Sequence, residues 1–554
     1  MTPPSPTTPA TLTGQALLNC LVREVCGPAG HAREENGHLI VRLPASGVLL
    51  RARLLRRSAG LGPRFGGTAE EHRRGRWAPA GWRRLADLVA AELTLMTGTA
   101  NPEFAVQVRD SHAATAAIIR AKAGAPRLSG SRIARYIDSE QSLTAGHRFH
   151  PAPKARQGRP AEWLRYAPET GARFRLRFLA VRQDAVAEAG DTTALDALGA
   201  PAPPAGYRVL PAHPWQFERQ AADTGGWLRQ ALAAGLVLDL GEGDREVAAT
   251  SSVRTVYDPA ADVFCKFSLG VRITNCVRTS AWYELTGSVE LSRLADQVMP
   301  ALAARYPGAA LLAEPGYRTV AASHRGAYEA LAVIVRDGLL PHLLRGVTPL
   351  LAAALTEPGF PAPAAALRDP AAWWDAYVRL LVPPVLDLLV THGLALEPHL
   401  QNVLVGVDEA GWPAQVIFRD LEGAKLVRDR HPALLAALPP GAAGRLAYDE
   451  DRAWDRVLYC LLVNHLAEVA AMLADHAPGR PEVLEARLWS EVREVLAKCA
   501  ADLGWPLRLG ALLGGAALPG KANLRVRWAR AADREAEHLP VPSPFGRNQP
   551  EGSR

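Results

Sequence analysis

The stretch EPHLQNVLV, residues 397–405, sets a carboxylate, an imidazole and two carboxamides directly before a wholly apolar run. AQVIFRDLEG, residues 414–423, mirrors it: an apolar run that ends in Arg419, Asp420 and Glu422. Short apolar runs rich in β-branched residues read as buried strands. A solvated loop does not need the strands, and a packed core does not need the amides. Polar groups gathered at strand ends point to a site carried by a rigid sheet.

Working outward, strands and helices mix without regular alternation. Residues 39–55 read as two strands about a turn, and 246–280 as strand, loop, strand, loop. Apolar spacings of three and four predict helices over 82–98, ending at Gly98, and over 448–476 and 485–504, with a helix pair or Pro-kinked helix over 371–393. YRVLPAHPWQFERQ reads as a strand running into a turn, and KANLRVR places Lys521 and Asn523 before an alternating strand. The class is α+β. The expected division is a mobile segment 1–14, an N-terminal domain 15–200 including a basic loop 140–158, and a Pro/Ala-rich linker 196–207. A central domain 207–370, a C-terminal domain 371–538 and a flexible tail 539–554 follow.

Composition narrows the function classes. A formal charge of +7 on 554 residues, with no long Lys/Arg run, speaks against a nucleic-acid partner. The N-terminus lacks a signal-peptide pattern, and no uncharged apolar stretch of about 18 residues suggests a membrane span. Six scattered cysteines form no Cys-x-x-Cys pair, so reduced thiols in a cytoplasmic protein are expected, without structural zinc. Only 6 of the 63 basic residues are lysine: Lys122, Lys154, Lys266, Lys425, Lys498 and Lys521. Where Arg is the default cation, a retained Lys marks a place that needs a compact ammonium. Asn is also scarce, with 8 in the chain; Asn275, Asn402 and Asn523 fall in polar clusters.

The densest cluster is residues 250–279, with Ser251, Ser252, Arg254, Thr255, Lys266, Arg278 and Thr279. Hydroxyls, one ammonium and two guanidiniums on neighbouring strands suit a polyphosphate or polycarboxylate. Lys266 lies between Cys265 and Phe267, where an unpaired charge would be costly. Asn402 and Asp420 repeat the Asn-plus-Asp logic by which kinases hold Mg2+, a hard cation that takes oxygen ligands. His399 is placed to contact phosphate or stabilise charge. The loop 140–158 carries His147, His150, Lys154 and Arg156, cations and imidazoles suited to a carboxylate-rich small molecule. His213, in HPWQ, reads as structural. No Walker motif, dinucleotide fingerprint or nucleophile elbow occurs.

Taken in order, Gly146-His147, His150-Pro151, Lys154-x-Arg156-x-Gly158, HPWQ (213–216), SSVRT (251–255), KFSLGVRITNCVRT (266–279), EPHLQN (397–402), RDLEG (419–423) and KANLRVR (521–527) resemble the IucA/IucC family, the NRPS-independent siderophore synthetases. Arg148 stands where the family usually has Pro. The resemblance implies a cupped-hand fold with a distantly kinase-like palm, a homodimer, and an enzyme that activates citrate or a related carboxylic acid with ATP before an amine or alcohol captures the acyl group. It also implies site roles. Ser252, Arg254, Thr255, Lys266, Arg278 and His399 would hold the triphosphate, with Gln401 near the nucleotide. Asn402 and Asp420, with Glu422, would hold magnesium. His150, Lys154 and Arg278 would face the carboxylate substrate. A small-molecule kinase would use the same Asn/Asp/Lys set but release ADP; a binding module without catalysis would have no need of Asn402 and Asp420.

Overall fold

The computed structural model describes residues 8–56, 61–123, 130–273, 276–321, 325–477, 479–531 and 537–546; Asn275 lies outside them. The chain opens with a helix, Pro9–Leu21, capped by Thr8, whose side chain accepts from Thr11 N. Residues 9–14, expected to be mobile, are therefore helical. Pro in the first turn initiates this helix, and Thr13 is already buried. Helix Trp82–Thr97 ends on Gly98, whose φ of 69° is the left-handed cap that glycine permits. These helices pack over an antiparallel five-stranded meander spanning Ala32–Glu35 to Arg76–Pro79.

The central sheet has eight strands in the order Val186–Gly190, Gly316–Val320, Val333–Arg336, Val263–Phe267, Thr255–Asp258, Val237–Ala249, Arg173–Arg182 and Tyr207–Ala212. A second sheet orders Ala309–Leu311, Pro413–Phe418, Val403–Val407 and Thr348–Leu351. Its first pair is parallel. Helix Pro370–Val390 runs through Pro383 and Pro384 as one helix. It shares the largest core with the helices Glu450–His476 and Pro481–Asp502. The helix Glu450–His476 is long and apolar enough to cross a bilayer, but 89% of its most apolar window is buried inside the protein, so it serves as a core helix.

The sheets cross the expected domain boundaries. Strands 173–182 and 186–190 pair with strands far beyond residue 200, and strands 309–311 and 348–351 belong with 403–418. The Pro/Ala-rich stretch before Tyr207 is a surface connection between strands of one sheet, not a boundary. Three local expectations also change. After the strand Tyr207–Ala212 the chain forms a helix, Pro214–Ala222, because His213 accepts from Trp215 N and caps it. Residues Asn523–Ala529 are a helix and not an alternating strand. Glu24 accepts Leu524 N and Arg525 N at 2.9 Å each, satisfying two orphan donors of its first turn. The tail is anchored as far as Gly546: His538–Val541 pairs with Leu518–Lys521, and buried Phe545 packs on Trp489. Residues 547–554 lie outside the described ones.

Candidate active site

Strand Val263–Phe267 is buried along its whole length. Alternation sends Cys265 and Phe267 into one core, and Phe264 and Lys266 toward the second sheet. Thr255 lies opposite Lys266, and Arg336 opposite Phe264, so Thr255, Lys266 and Arg336 share that face. From the second sheet, the parallel strands Ala309–Leu311 and Pro413–Phe418 end together, Leu311 beside Phe418. Glu314, Asp420 and Glu422 therefore emerge at one end. Val403 pairs with Phe418, which brings Asn402 to the same place; Arg419 N donates to Asn402 O (3.1 Å). The polar residues at the ends of the two apolar strands thus form one cluster.

Lys266 Nζ contacts Asp420 Oδ1, lies 2.8 Å from Glu422 Oε2 and 3.6 Å from Glu314 Oε1. Arg254 donates to Glu422 Oε1 (2.8 Å) and Ser280 Oγ (3.0 Å). Arg336 donates to Glu314 Oε1 (2.6 Å) and Asp420 Oδ1 (2.9 Å). Three carboxylates meet three cations. Burial opposes ionisation of Glu422, but Arg254 and Lys266 outweigh it and hold its pKa at about 2. Asp420 is held far below the usual carboxylate range: burial acts against ionisation, and Lys266 and Arg336 overcome it. For Lys266 burial is likewise outweighed by Asp420, Glu314 and Glu422, and its pKa rises. The Asp420 side chain is 29% exposed, whereas Lys266 and Glu314 are at 2% and 0%. Asp420 also has φ of +78°, a left-handed conformation costly for a residue with a Cβ and tolerated where its surroundings enforce it.

A buried pair ties the turns around Ser251 and Gln401 together. Arg419 ion-pairs with Glu140 and donates to Gln401 O (2.7 Å); Glu140 accepts Ser251 N (3.0 Å), and Gln401 Nε2 donates to Ser251 Oγ (3.3 Å). Ser252 closes the turn as acceptor of Thr255 N (2.6 Å). Arg278, on a two-stranded hairpin, is half-buried and donates to Ile273 O (3.4 Å), and its own carbonyl lies 3.4 Å from Arg254 Nη1. His399 is half-buried, with Nε2 3.9 Å from Glu397 Oε2; burial keeps its imidazole below the ordinary pKa. Glu397 is itself held by Arg456 Nε (2.8 Å).

Sequence reading missed Glu140, Glu314 and Arg336. The only sequence signal for Glu314 and Arg336 is a charge just beyond an apolar run, in LLAEPG and VIVRDG. Two expected substrate contacts, Lys154 and His150, are buried. The Lys154 ammonium donates to Leu143 O and Glu169 Oε1 (2.7 Å each), so it braces its own loop instead of facing a cleft. His150 is 5% exposed, with Nδ1 accepting Ala152 N (3.0 Å). His213 is buried and caps a helix, a structural part.

The donors Asn402, Asp420 and Glu422 are the oxygen set a hard divalent cation takes. Asn402 Nδ2 is buried without a hydrogen-bond partner among the described residues, so no protein group there fixes the carboxamide by its nitrogen. The residues fit magnesium.

Residues 135–357 match the IucA / IucC family, and residues 371–536 match the family described as ferric iron reductase FhuF-like transporter. The second segment has two cysteines, Cys460 and Cys499, both in the hydrophobic core, fewer than the four thiolates of an all-cysteine iron–sulfur site. The chain is 30% identical over 564 residues to the rhizobactin siderophore biosynthesis protein RhbC of Rhizobium meliloti, covering 94% of each. It is 31% identical over 393 residues to L-2,3-diaminopropanoate--citrate ligase of Staphylococcus aureus, covering 65% of each. The structure of ATP-bound aerobactin synthetase IucA from Klebsiella pneumoniae superposes with a TM-score of 0.83 at 25% identity, over 97% of this chain and 100% of that one. Motif order, fold and full-length similarity agree: the chain belongs to the IucA/IucC family of siderophore synthetases.

Proposed function

We propose that the protein is an ATP-dependent ligase of siderophore biosynthesis that adenylates a carboxylate of citrate or a related acid and joins it to an amine or alcohol. The observation that carries this reading is the meeting, at the ends of two facing sheets, of cations suited to a triphosphate with oxygen donors suited to magnesium. Ser252, Arg254, Thr255, Lys266, Arg278 and His399 hold the triphosphate, and Gln401 lies at the nucleotide. Asn402, Asp420 and Glu422 hold magnesium, which when bound neutralises phosphate charge. Arg278 and His150 face the acid; Lys154 supports that side by fixing the loop through Glu169.

The chemistry is positioning plus charge neutralisation of two anions. A carboxylate oxygen attacks the α-phosphorus, and the bond to pyrophosphate breaks. The acceptor then attacks the acyl carbon, AMP leaves, and the acceptor loses a proton. Lys266 and Arg254 are paired with Asp420 and Glu422 in the ligand-free protein, so they remain charged and exchange these carboxylates for phosphate oxygens on binding. We place the enzyme in the cytoplasm, in keeping with the free, buried thiols of Cys20, Cys26, Cys265, Cys460 and Cys499. We infer a homodimer from the family resemblance, which light scattering tests. The reaction is tested with ATP, magnesium, a panel of polycarboxylates and hydroxylamine: pyrophosphate, AMP and an iron-coloured hydroxamate are expected. ADP as the sole nucleotide product across the panel would sink the ligase reading in favour of a kinase.

A further inference from the structure

The helix Glu450–His476 is regular at both ends but wound as a π-helix over Tyr459–Leu466. Such windings are rare and often occur at functional sites. Their i to i+5 repeat brings Tyr459 and Asn464 over one another, and both face the same ring. Asn464 Nδ2 lies 2.7 Å, and Tyr459 OH 3.3 Å, from His147 Nε2. His147 is in the loop that begins at Gly146, the acid side of the site. The same carboxamide reaches the nucleotide side: Leu400 N donates to Asn464 Oδ1 (3.4 Å). The next residue, His465, grips that segment as well. Its Nδ1 donates to Pro398 O (2.8 Å), and its Nε2 accepts from Tyr377 OH (2.5 Å). His399 lies between the two gripped residues.

Hydrogen-bond capacity makes Asn464 the pivotal member. A neutral imidazole has a single acceptor nitrogen. Burial pushes the His147 pKa down to about 3, so the ring is neutral. Phe149 N donates to its Nδ1 (3.0 Å), which leaves Nε2 carrying the proton and seeking an acceptor. The Asn464 carboxamide spans the two sides: its oxygen accepts from Leu400 N (3.4 Å), and its amide nitrogen lies 2.7 Å from His147 Nε2. An amide at this point holds two loops that otherwise belong to distant parts of the chain. Asn464 is also one of only 8 asparagines in the chain.

We propose that Asn464 is a positioning residue for the ligase reaction: its carboxamide sets the His147 loop against the Pro398–Leu400 segment, and so sets the acid relative to the triphosphate. The inference rests on the function proposed above. A misplacement of about 1 Å at a reacting pair costs on the order of 100-fold in rate, which is the scale on which such a residue is read.

The test uses the full chain and three variants, Asn464→Leu, Asn464→Ala and Asn464→Asp, in acid-dependent ATP–pyrophosphate exchange with the polycarboxylate giving the fastest wild-type rate. Asn464→Leu is expected to lower kcat about 30-fold, with KM for ATP and acid within about threefold of wild type. The melting temperature is expected to change little, since Asn464 is only half-buried. Asn464→Ala serves the same purpose if leucine does not fold. Asn464→Asp offers one oxygen to Leu400 N and one to His147 Nε2 and is expected to retain at least a third of wild-type kcat, roughly a 0.6 kcal/mol loss at most. Wild-type kcat in the leucine or alanine variant overturns the inference, as does a kcat loss that merely follows a fall in melting temperature. An aspartate variant as impaired as the leucine one overturns it too. Those results leave the ligase reading intact; no exchange by wild type with any acid overturns that reading, and the inference with it.

Discussion

Around Glu169 one carboxylate faces two cations, Lys154 and Arg156, with all three side chains at most 8% exposed. Around Asp420 three carboxylates face Lys266, Arg254 and Arg336, and the Asp420 side chain is 29% open. Lysine, arginine and carboxylates occur in both, yet the arrangements serve different ends. In the first, every charge is enclosed, and no ligand can replace Glu169 without unfolding the loop. In the second, the enclosed ammonium borders a partly open carboxylate, where the metal and phosphate of the proposed function would take over the pairing. What separates a brace from a site is whether a charged group can change partners.

The comparison is most sharply tested at Lys266. Both Lys266→Ala and Lys266→Arg should lower pyrophosphate exchange by about 10³-fold, since a planar fork cannot replace an ammonium between three acids on a crowded strand. Retention of more than a tenth of the activity by the arginine variant would break the distinction. Glu169→Gln should act on the other quantity. Leaving two buried cations short of their carboxylate should cost about 3 kcal/mol of stability in denaturant unfolding. An unaltered unfolding midpoint would show that the cluster is no brace. Asn402→Ala and Asp420→Ala come next: magnesium-dependent turnover should fall about 100-fold, with thermal unfolding nearly unchanged. A collapse in thermal stability would move either residue to the structural side.

The smallest effect is the pH dependence. Burial disfavours ionisation of Glu169, yet Arg156 and Lys154 hold its pKa at about 2, below the ordinary 4.5. A carboxyl whose folded pKa is depressed adds stability above its unfolded pKa and loses it as pH falls through the folded value. The stability gap between wild type and Glu169→Gln should therefore be constant above pH 4.5 and narrow between 4.5 and about 2. A gap that widens in that window would contradict the assigned sign.

Much of the candidate site was legible because its residues stand out locally. Asn402 and Asp420 bound apolar runs, and Lys266 interrupts one. The scarcity of lysine was also informative. Lys122, Lys154 and Lys425 direct their ammonium groups at main-chain carbonyls, and Lys266 at three acids, while Lys498 is 70% exposed. Glu140, Glu314 and Arg336 were not legible. Each is one charge at the end of an ordinary element, and its meaning lies in a partner that only the fold supplies: Arg419 for Glu140, Asp420 for Arg336. The same holds for the domain boundaries, because a Pro-rich loop looks alike whether it joins two domains or two strands. Leu524, Val526 and Trp528 fit an alternating strand, but Leu524 and Trp528 also fit one helix face, and Glu24 decides between them.

That contact has a consequence for how the protein is made. Leu524 and Trp528 complete the core formed by the first hundred residues, Asn101 Nδ2 donates to Trp528 O (2.8 Å), and Glu24 receives its two donors from residues 524 and 525. Ribosomes deliver roughly 5 to 20 residues per second, so the N-terminal core waits roughly 20 to 85 seconds for its last wall. During translation it exposes the apolar surface around Phe104 and holds a carboxylate whose partners do not yet exist. This N-terminal core is then among the parts that finish folding late, with its apolar wall open to solvent until residues 524–528 arrive.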